Sequence, residues 1–360
     1  MPGGRVALSC SAPFAGGGLG RHLQELYGAL QRAGAETTLI CGPSAGVRGA
    51  AAPPGRIEIS RGRLSGVVDR VTALSPALST WKSGVDFDAG ASRRLGSVEH
   101  VLAFNGQALA QLRAARAPGS GIAGASLVSA TSHMRHVARQ HEKAYRRYPL
   151  ERPWAPRVLD RNLAEYRLAD SILCSTEHIR RSFVQEGVPD ERLLTFPLTP
   201  DPRYAPGTSG SASSDASAST FDVVYVGSLS VAKGVPLLVD AVRSLPAPDL
   251  RLVLLGGWAS RGMRRFLQSA CASDPRIAVR LGDPLEELRG ARLYVHPSYD
   301  DGFGYAPAEA LAAGVPVIVT EDTGMKELLE PSRGMVVPTG DGEALAAALE
   351  AAYRGEILSI

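Results

Sequence analysis

The chain has only four cysteines, and no two of them form a Cys-x-x-Cys pair. Cys10, Cys41, Cys174 and Cys271 are too widely spaced for a structural zinc site or for the disulfide framework of a small secreted domain. We therefore expect reduced thiols in a cytoplasmic protein.

Long apolar runs are also missing. The stretches at 252–255 and 315–320 are far shorter than the ~20 residues that a membrane-spanning helix requires. The first five residues lead directly into a short strand pattern, so we expect no secretory signal. With 360 residues, 44% of them hydrophobic and 21% charged, the composition excludes a largely disordered chain and suits two domains.

Charge is distributed unevenly along the chain. Residues 1–206 carry 26 lysines and arginines against 17 acidic residues, whereas residues 207–360 carry 13 against 19. Between these halves, the Gly- and Ser-rich stretch 207–220 has no residues that could build a core, which is typical of a linker or surface loop. We expect an N-terminal domain at 1–206, a linker at 207–220 and a C-terminal domain at 221–360.

Short apolar runs alternate with amphipathic stretches of helical spacing in both halves. Strands are predicted at 5–10, 37–41, 101–104, 127–131, 172–175, 193–196, 221–226, 250–255, 277–281, 291–296 and 315–320, and helices in the second half at 263–272, 285–289, 306–313 and 343–354. Continuous apolar strands separated by helices indicate parallel sheets covered on both faces. The fold class is therefore α/β, with two Rossmann-like, doubly wound parallel-sheet domains. Such sheets bind ligands outside the carboxyl ends of their strands, so we expect a ligand cleft between them.

The most informative segment follows the strand that ends at His296. A loop with Asp300 and Asp301 leads into a Gly302-Phe303-Gly304 turn, and Glu309 falls eight positions after Asp301, in the predicted first turn of a helix. Glycine amides and a helix N-terminus suit a phosphate ligand. The two carboxylates can hold hydroxyl groups of an extended polar ligand, or they can serve the helix dipole.

This segment resembles the donor-binding signature of the retaining glycosyltransferases of family 4, which have the GT-B architecture. The matching residues are Pro297-Ser298, Gly302-Phe303-Gly304, Glu309-Ala310 and Gly314-Val315-Pro316-Val317. Asp301 stands where the family usually has a glutamate, whose side chain is one methylene longer. The resemblance implies that Asp301 and the amides of residues 302–304 contact the donor sugar, and that Glu309 contacts the ribose.

A second segment, from Val226 to Gly234, resembles the strand and loop of the same family that bind the diphosphate. The resemblance implies that Gly227 and Ser228 contact the donor and that Lys233 neutralises the departing diphosphate. Ser228 replaces an arginine that is frequent in the family. The alternative for Lys233 is a solvated loop lysine.

Two segments of the first half extend the resemblance. The run Gly16 to His22 is similar to the N-terminal glycine loop of the family, and Gly17 and Gly18 are its implied donor contacts. A dinucleotide fingerprint fits poorly, because its third glycine would fall on Arg21 or Leu23. His133 lies where the family places a histidine at the sugar edge of the cleft, although packing is an equal alternative.

The resemblance implies a retaining transfer of a sugar from a nucleoside diphosphate sugar, the co-substrate, to a hydroxyl of a glycan, a lipid-linked saccharide or a small molecule, as in polysaccharide biosynthesis. The implied catalytic residues are His133, Lys233 and Asp301. We expect no metal and no other cofactor, since Lys233 and the loop amides supply the stabilisation and the adjacent acids Asp300 and Asp301 lack metal-ligand spacing. An epimerase or phosphorylase of the same architecture, or a non-catalytic sugar-nucleotide binding protein, remains open.

Residues 135–161 combine eight arginines and lysines with Tyr145, Tyr148 and Trp154. A basic surface with aromatic residues can bind anionic lipid headgroups or a lipid diphosphate. We therefore predict peripheral contact with the inner face of a membrane, with a solvated helix face as the alternative. No recognition motif indicates nucleic acid.

Overall fold

The computed structural model describes residues 3–43, 53–60, 76–151, 156–205 and 220–356. The chain folds into two compact units: unit 1 comprises residues 1–135 and 154–198, and unit 2 comprises residues 136–153 and 199–360. The segment 136–153, which the sequence analysis assigns to the first domain, thus belongs to unit 2. The expected linker at 207–220 lies outside the described residues except for Thr220.

Unit 1 contains a seven-stranded parallel sheet in the order β3-β2-β1-β4-β5-β6-β7. Its strands are β1 (Arg5–Pro13), β2 (Glu36–Gly42), β3 (Ile57–Glu58), β4 (His100–Phe104), β5 (Gly124–Ser129), β6 (Ile172–Cys174) and β7 (Leu193–Thr195). Leu8 of β1 pairs with Leu39 on one side and Leu102 on the other. Consecutive residues 7–10 of β1 are buried, as expected when both faces of a parallel sheet are covered.

The described residues of unit 1 include the helices α1 (Gly17–Arg32), α2 (Pro76–Ser92), α3 (Leu109–Ala115), α5 (Pro156–Leu168) and α6 (Glu177–Gln185). Leu23 and Leu26 of α1 join the core formed by Leu8, Cys10 and Phe104, among others. The helical spacing of these leucines places both of them on the buried face of α1.

Unit 2 contains a six-stranded parallel sheet in the order β10-β9-β8-β11-β12-β13. Its strands are β8 (Phe221–Val226), β9 (Leu250–Leu255), β10 (Ile277–Arg280), β11 (Leu293–His296), β12 (Val317–Thr320) and β13 (Gly334–Val337). Its helices are α7 (Val235–Ser244), α8 (Arg261–Ser273), α9 (Pro284–Arg289), α10 (Tyr305–Ala312) and α11 (Gly342–Tyr353). Strands β11 and β12 are buried along their whole length.

The helix α4 (Met134–Arg147) and the residues that follow it form an arm of unit 2, the α4 arm, residues 136–151. Ala144 is fully buried in the core of unit 2, and Tyr145, Tyr148 and Leu150 pack against that core. A Cβ atom at Gly262 would collide with the carbonyl oxygen of Leu150, so the arm lies directly against the start of α8. The α4 arm is thus an integral part of unit 2, although it precedes the other residues of that unit in the chain.

The α/β prediction is confirmed, and so are the eleven strands predicted from apolar runs, with shifts of a few residues at their ends. Two edge strands escaped prediction. Ile57–Glu58 has only two residues, and Gly334–Val337 begins with a glycine that lacks strand propensity. In the part of the chain that the structure describes, no helix is both long and apolar enough to cross a bilayer.

Candidate active site

The order of the strands places the candidate site of unit 2. From β8 the chain proceeds through β9 and β10 to one side of the sheet, and from β11 through β12 and β13 to the other. The order therefore reverses between the neighbouring strands β8 and β11, and ligands of open parallel sheets bind where the loops diverge at such a point. Lys233 lies in the loop after β8, and Asp301 lies in the loop after β11.

The structure brings Lys233 and Asp301 into direct contact. The Lys233 Nζ donates to Oδ2 of Asp301 at 2.7 Å and to the carbonyl oxygen of Asp300 at 3.3 Å. The same Asp301 oxygen lies 2.9 Å from Nε2 of His296. Side-chain exposure is 30% for Lys233, 22% for Asp301 and 4% for His296, so the lysine and the acid face solvent while the histidine lies behind them.

These contacts fix the charges of the site. Burial raises the pKa of the Asp301 carboxyl, but the positive charge of Lys233 and the hydrogen bond from His296 outweigh it and hold the pKa well below its ordinary value. Burial lowers the pKa of His296 in spite of the neighbouring carboxylate. The site at neutral pH thus combines an ionised acid, a lysine and a neutral imidazole.

Main-chain hydrogen bonds hold the loop of Asp301 from both sides. The Asp301 N–H donates to the carbonyl of Asp322, and its own carbonyl accepts from the N–H of Gly324, both at 2.9 Å. The Ser298 hydroxyl donates to the carbonyl of Asp300 at 2.8 Å. The main chain of Asp301 therefore has a fixed position at the carboxyl ends of the strands.

Two glycines are required by the shape of these loops. Gly234, which ends the Lys233 loop and precedes α7, has φ +69°, and a Cβ there would collide with the carbonyl oxygen of Pro297. Gly304, which precedes α10, has φ +83°. Both positions lie in the left-handed region that favours glycine. The first of them lets the two loops approach closely enough for Lys233 to reach Asp301.

The remaining residues of the Asp301 segment surround this pair. Gly302 and Gly304 are buried, and the Phe303 ring is buried in edge contact with Tyr305 at 4.8 Å between centroids. Glu309 is partly exposed and lies in the second turn of α10, because the helix begins at Tyr305. The expectation of a first-turn glutamate was therefore wrong.

Tyr204 is a neighbour of Glu309 that the sequence analysis missed. It lies in the short 3₁₀ helix Pro202–Tyr204, is buried, and has its pKa raised to about 12 by burial and by the charge of Glu309. Its position three residues after Asp201, outside any recognised motif, gives no signal in the sequence.

Gly227 and Ser228 form the turn after β8. The Ser228 side chain is exposed, and its carbonyl accepts a hydrogen bond from the hydroxyl of Tyr225 at 2.9 Å. The hydroxyl of Tyr294 donates to the carbonyl of Val226 at 3.0 Å. The hydroxyl groups of two buried tyrosines thus bind the carbonyl groups of this turn, while the Ser228 side chain faces solvent.

The α4 arm contributes further polar residues at the carboxyl ends of the strands of unit 2. Nε2 of His136 lies 2.9 Å from one oxygen of Asp322, and Gln140 donates to the other at 2.8 Å. The hydrogen bond to Asp322 raises the pKa of His136. His141 is half-buried, and desolvation lowers its pKa to about 4, with charges of Asp300 and Lys233 acting on it as well. The sequence resemblance includes His136 as a weaker candidate beside His133, but it gives no signal for Gln140 or His141.

The arm also changes the interpretation of the basic stretch 135–161. Tyr145 and Tyr148 pack against the core of unit 2, and the Tyr148 hydroxyl donates to Asp240 at 2.6 Å. Trp154 lies outside the described residues. Arg161 pairs with Asp88 and Glu165 inside unit 1. The exposed basic residues of α4 are Arg135, Arg139, Lys143, Arg146 and Arg147.

In unit 1, Gly17 and Gly18 are exposed at the N-terminus of α1. Within the described residues, no side chain caps this helix, and the preceding Ala15 has a left-handed φ of +60°. Uncapped N–H groups at a helix start are suited to bind an anion. This geometry agrees with a phosphate loop.

His133 occupies a different environment in unit 1. Its side chain is 3% exposed and packs against the rings of Tyr166 and Phe183, at 4.8 and 5.1 Å between centroids. Its N–H donates to the Ser182 hydroxyl at 2.8 Å. These contacts explain the histidine as a packing residue within its own unit, while its catalytic role stays a prediction.

Unit 1 has its own reversal of strand order, between β1 and β4, and a buried carboxylate lies beside it. Glu165 accepts hydrogen bonds from the N–H groups of Gly106, Ala108 and Leu109 and pairs with Arg161. This acid therefore caps α3, which starts at Leu109. These contacts give Glu165 a structural role within unit 1.

A family of known proteins matches most of unit 2. Residues 211–359 match the family model for Glycosyl transferases group 1. A curated relative, the D-inositol 3-phosphate glycosyltransferase of Nocardia farcinica, is 28% identical over 191 residues, which are 48% of this chain and 42% of the relative. The chain spans less than half the length of the curated relatives it matches first.

Solved structures match over nearly the whole chain. Sucrose-phosphate synthase from Thermosynechococcus elongatus has a TM-score of 0.72 at 18% identity, covering 98% of this chain and 90% of that one. HepE from Anabaena, solved in complex with UDP-glucose, has a TM-score of 0.65 at 16% identity, covering 98% and 90%. The chain therefore carries a Glycosyl transferases group 1 domain and has the fold of GT-B glycosyltransferases, two α/β domains with parallel sheets.

Proposed function

We propose that this protein is a retaining glycosyltransferase that transfers a sugar from a nucleoside diphosphate sugar to an acceptor hydroxyl. The observation that carries the proposal is the Lys233–Asp301 pair at the strand-order reversal of a domain that matches Glycosyl transferases group 1. A cation and an ionised acid at this point suit a ligand with an anionic diphosphate and a hydroxyl-rich sugar.

In the proposed step, the bond between the anomeric carbon and the diphosphate oxygen breaks, and a bond to the acceptor oxygen forms on the same face. The acceptor proton passes to the departing diphosphate. Lys233 stabilises the negative charge that develops on the diphosphate, and Asp301 holds a sugar hydroxyl. No metal or other cofactor takes part in this proposal.

The other residues bind the donor. Glu309 accepts hydrogen bonds from the ribose hydroxyls, and the amides at residues 302–304 and the turn at Gly227 and Ser228 approach the sugar and the diphosphate. Gly17 and Gly18 supply N–H groups for the phosphates. HepE, which shares the fold, binds UDP-glucose, and this supports the choice of donor class.

A thermal-shift panel tests donor binding. UDP, GDP and ADP and their common sugar conjugates are added to the protein, with and without EDTA. A ligand at about 100 times its dissociation constant adds ~2.7 kcal/mol of stability, which is enough to rank the candidates. A shift that EDTA removes would contradict metal independence.

Release of nucleoside diphosphate then separates the alternatives. A transferase releases it when an acceptor is added from a panel of glycans, lipid-linked saccharides and small alcohols, and the product keeps the anomeric configuration. An epimerase changes the donor without an acceptor, a phosphorylase needs phosphate, and a binding protein shows thermal shifts without turnover over the whole panel.

We further propose that a lipid-linked acceptor is met at the cytoplasmic face of a membrane through the exposed basic residues of α4, among them Arg139, Lys143 and Arg146. Such residues gain ~1 kcal/mol each near an anionic surface. Sedimentation with phosphatidylserine vesicles at low and high salt tests this contact. Equal binding to phosphatidylcholine vesicles would contradict it.

A further inference from the structure

We propose that His296 is a positioning residue for the donor sugar, because it holds the Asp301 carboxylate in place when Lys233 turns to the diphosphate. The inference rests on the proposed function and names a residue that acts through Asp301. It follows from three features of the structure: two hydrogen bonds on one carboxylate oxygen, the fixed plane of the imidazole and the different exposure of the two donors.

The first feature is the shared oxygen. Among the described residues, Lys233 and His296 both make their hydrogen bonds to Asp301 at Oδ2, at 2.7 and 2.9 Å. The carboxylate is thereby anchored through one oxygen. Its other oxygen, Oδ1, remains as the acceptor for a ligand hydroxyl, and the side chain is 22% exposed.

The second feature is the packing of the imidazole. His296 ends β11, and its ring lies nearly parallel to those of Tyr225 and Tyr294, with centroids 6.0 and 6.3 Å away. The side chain is 4% exposed, and the Tyr294 hydroxyl is 3.5 Å from Nδ1 while it donates to the carbonyl of Val226. The ring cannot swing away without disturbing both tyrosines, so Nε2 stays directed at Asp301.

The donor direction follows from chemistry. An ionised carboxylate only accepts hydrogen bonds, so Nε2 of His296 must carry the proton. A buried neutral imidazole then has Nδ1 unprotonated. We expect this tautomer both with and without ligand.

The third feature separates the roles of the two donors. Lys233 lies in a loop, is 30% exposed and carries the charge that a diphosphate attracts. Once that charge is shared with a diphosphate, its hold on Asp301 weakens, and the contact from His296 persists because the strand fixes it. This contact matters especially for the short side chain of Asp301, which reaches a sugar only from a fixed position.

A matched pair of substitutions tests the inference. In His296→Gln, the amide nitrogen lies as many bonds from the backbone as Nε2 and can donate to Asp301, whereas His296→Met has the same length without a donor. Calorimetry with UDP and UDP-glucose, and with GDP and GDP-mannose, gives the ratio of the two dissociation constants in each pair. We expect H296M to lower the affinity gained from the sugar about tenfold, the equivalent of one hydrogen bond to a charged group, and to leave the nucleoside diphosphate affinity within about twofold.

H296Q should recover most of the sugar-dependent affinity. If H296M and H296Q gain as much affinity from the sugar as the wild-type protein, His296 serves only to pack the sheet. Equal losses in both variants for both members of a ligand pair would show general damage to the fold and would also overturn the inference.

A second measurement needs no ligand. The imidazole ¹⁵N signals of His296, assigned by their loss in H296Q, should show the tautomer with the proton on Nε2 at pH 7, and they should shift in Asp301→Asn. The opposite tautomer would contradict the inference whatever the protein binds. If the tautomer is as expected but no nucleotide probe binds, the proposed function fails while the contact of His296 with Asp301 stands.

Discussion

Glu165 of unit 1, which is buried, and Asp301 of unit 2, which is partly exposed, are carboxylates beside equivalent places in similar sheets, and they have different partners. Glu165 receives three main-chain N–H groups and Arg161. Asp301 receives Lys233 and His296, two side chains from different segments. The first arrangement closes the start of α3, while the second leaves a charged pair facing solvent.

The pKa values of the two acids are shifted in opposite directions from their ordinary values. At Glu165, burial outweighs the donors and raises the pKa to about 7. At Asp301, burial acts in the same direction, but Lys233 and His296 together hold the pKa well below its ordinary value. A carboxylate that main-chain amides surround stabilises local structure, whereas one that basic side chains hold ionised is suited to bind and polarise a ligand.

The largest expected effect is at Asp301 itself. Asp301→Ala should abolish sugar transfer and leave nucleoside diphosphate affinity nearly intact, because the proposed contact is to the sugar. Asp301→Glu, which introduces the usual residue of family 4, should remain active. Turnover and calorimetry on the two variants, with Asp300→Ala as control, measure this. Activity in both alanine variants would mean that the loop acids only cap the turn.

Lys233→Ala should lower turnover by about 10²–10³, the usual cost of removing one electrostatic contact to a developing charge. Nucleotide affinity should fall less, because the charge is needed most as the diphosphate departs. Lys326→Ala, which removes a lysine of the same unit outside the site, is the matched control. Unchanged turnover in K233A would identify Lys233 as a solvated loop residue.

Glu165→Ala should destabilise the fold without changing the chemistry. It leaves three N–H groups and Arg161 without their buried acceptor, at an expected loss of about 3 kcal/mol of unfolding free energy. Turnover per folded molecule should stay within about twofold of the wild type. A loss of turnover with unchanged stability would show that Glu165 acts in the reaction and not in the stability of the fold.

Glu309→Gln should weaken nucleotide binding by about tenfold, because an amide replaces one acceptor oxygen with a donor that the ribose hydroxyls meet less well. Calorimetry with the nucleoside diphosphate measures the change. Retained affinity together with a lower melting temperature would show that Glu309 serves α10 instead.

The last prediction concerns pH. The folded pKa of Glu165, about 7, lies above the ordinary value of 4.5, so its protonated form favours the folded state. The stability it contributes is fully present below pH 4.5 and is lost as pH rises through about 7. The unfolding free energy of the wild type minus that of Glu165→Gln should therefore decrease between pH 4.5 and 8. A difference that increases with pH would place the pKa of Glu165 below 4.5.

Much of the fold could be predicted because local physics determines it. Residues 252–255 are consecutively apolar and buried, as expected for a strand that is covered on both faces of a parallel sheet. The glycines at 234 and 304 likewise mark turns with left-handed φ. These features depend on neighbours in the sequence. Lys233 and Asp301 could be selected before their contact was known, because the segments that contain them resemble motifs of a known family.

The sequence by itself determined the two parallel-sheet domains and the loops that carry the candidate site, because apolar periodicity and glycine positions act over short distances. Only the tertiary structure decided that His296 lies behind Asp301, that the α4 arm supplies His136 and Gln140 to the loop of Asp322, and that Glu309 lies in the second turn of α10. His136 and Asp322 are 186 positions apart, and no local pattern encodes such a pairing. Burial of Ala144, Tyr145 and Tyr148 against the core of unit 2 brings these residues together, because apolar area removed from water stabilises the arm there whatever its place in the chain.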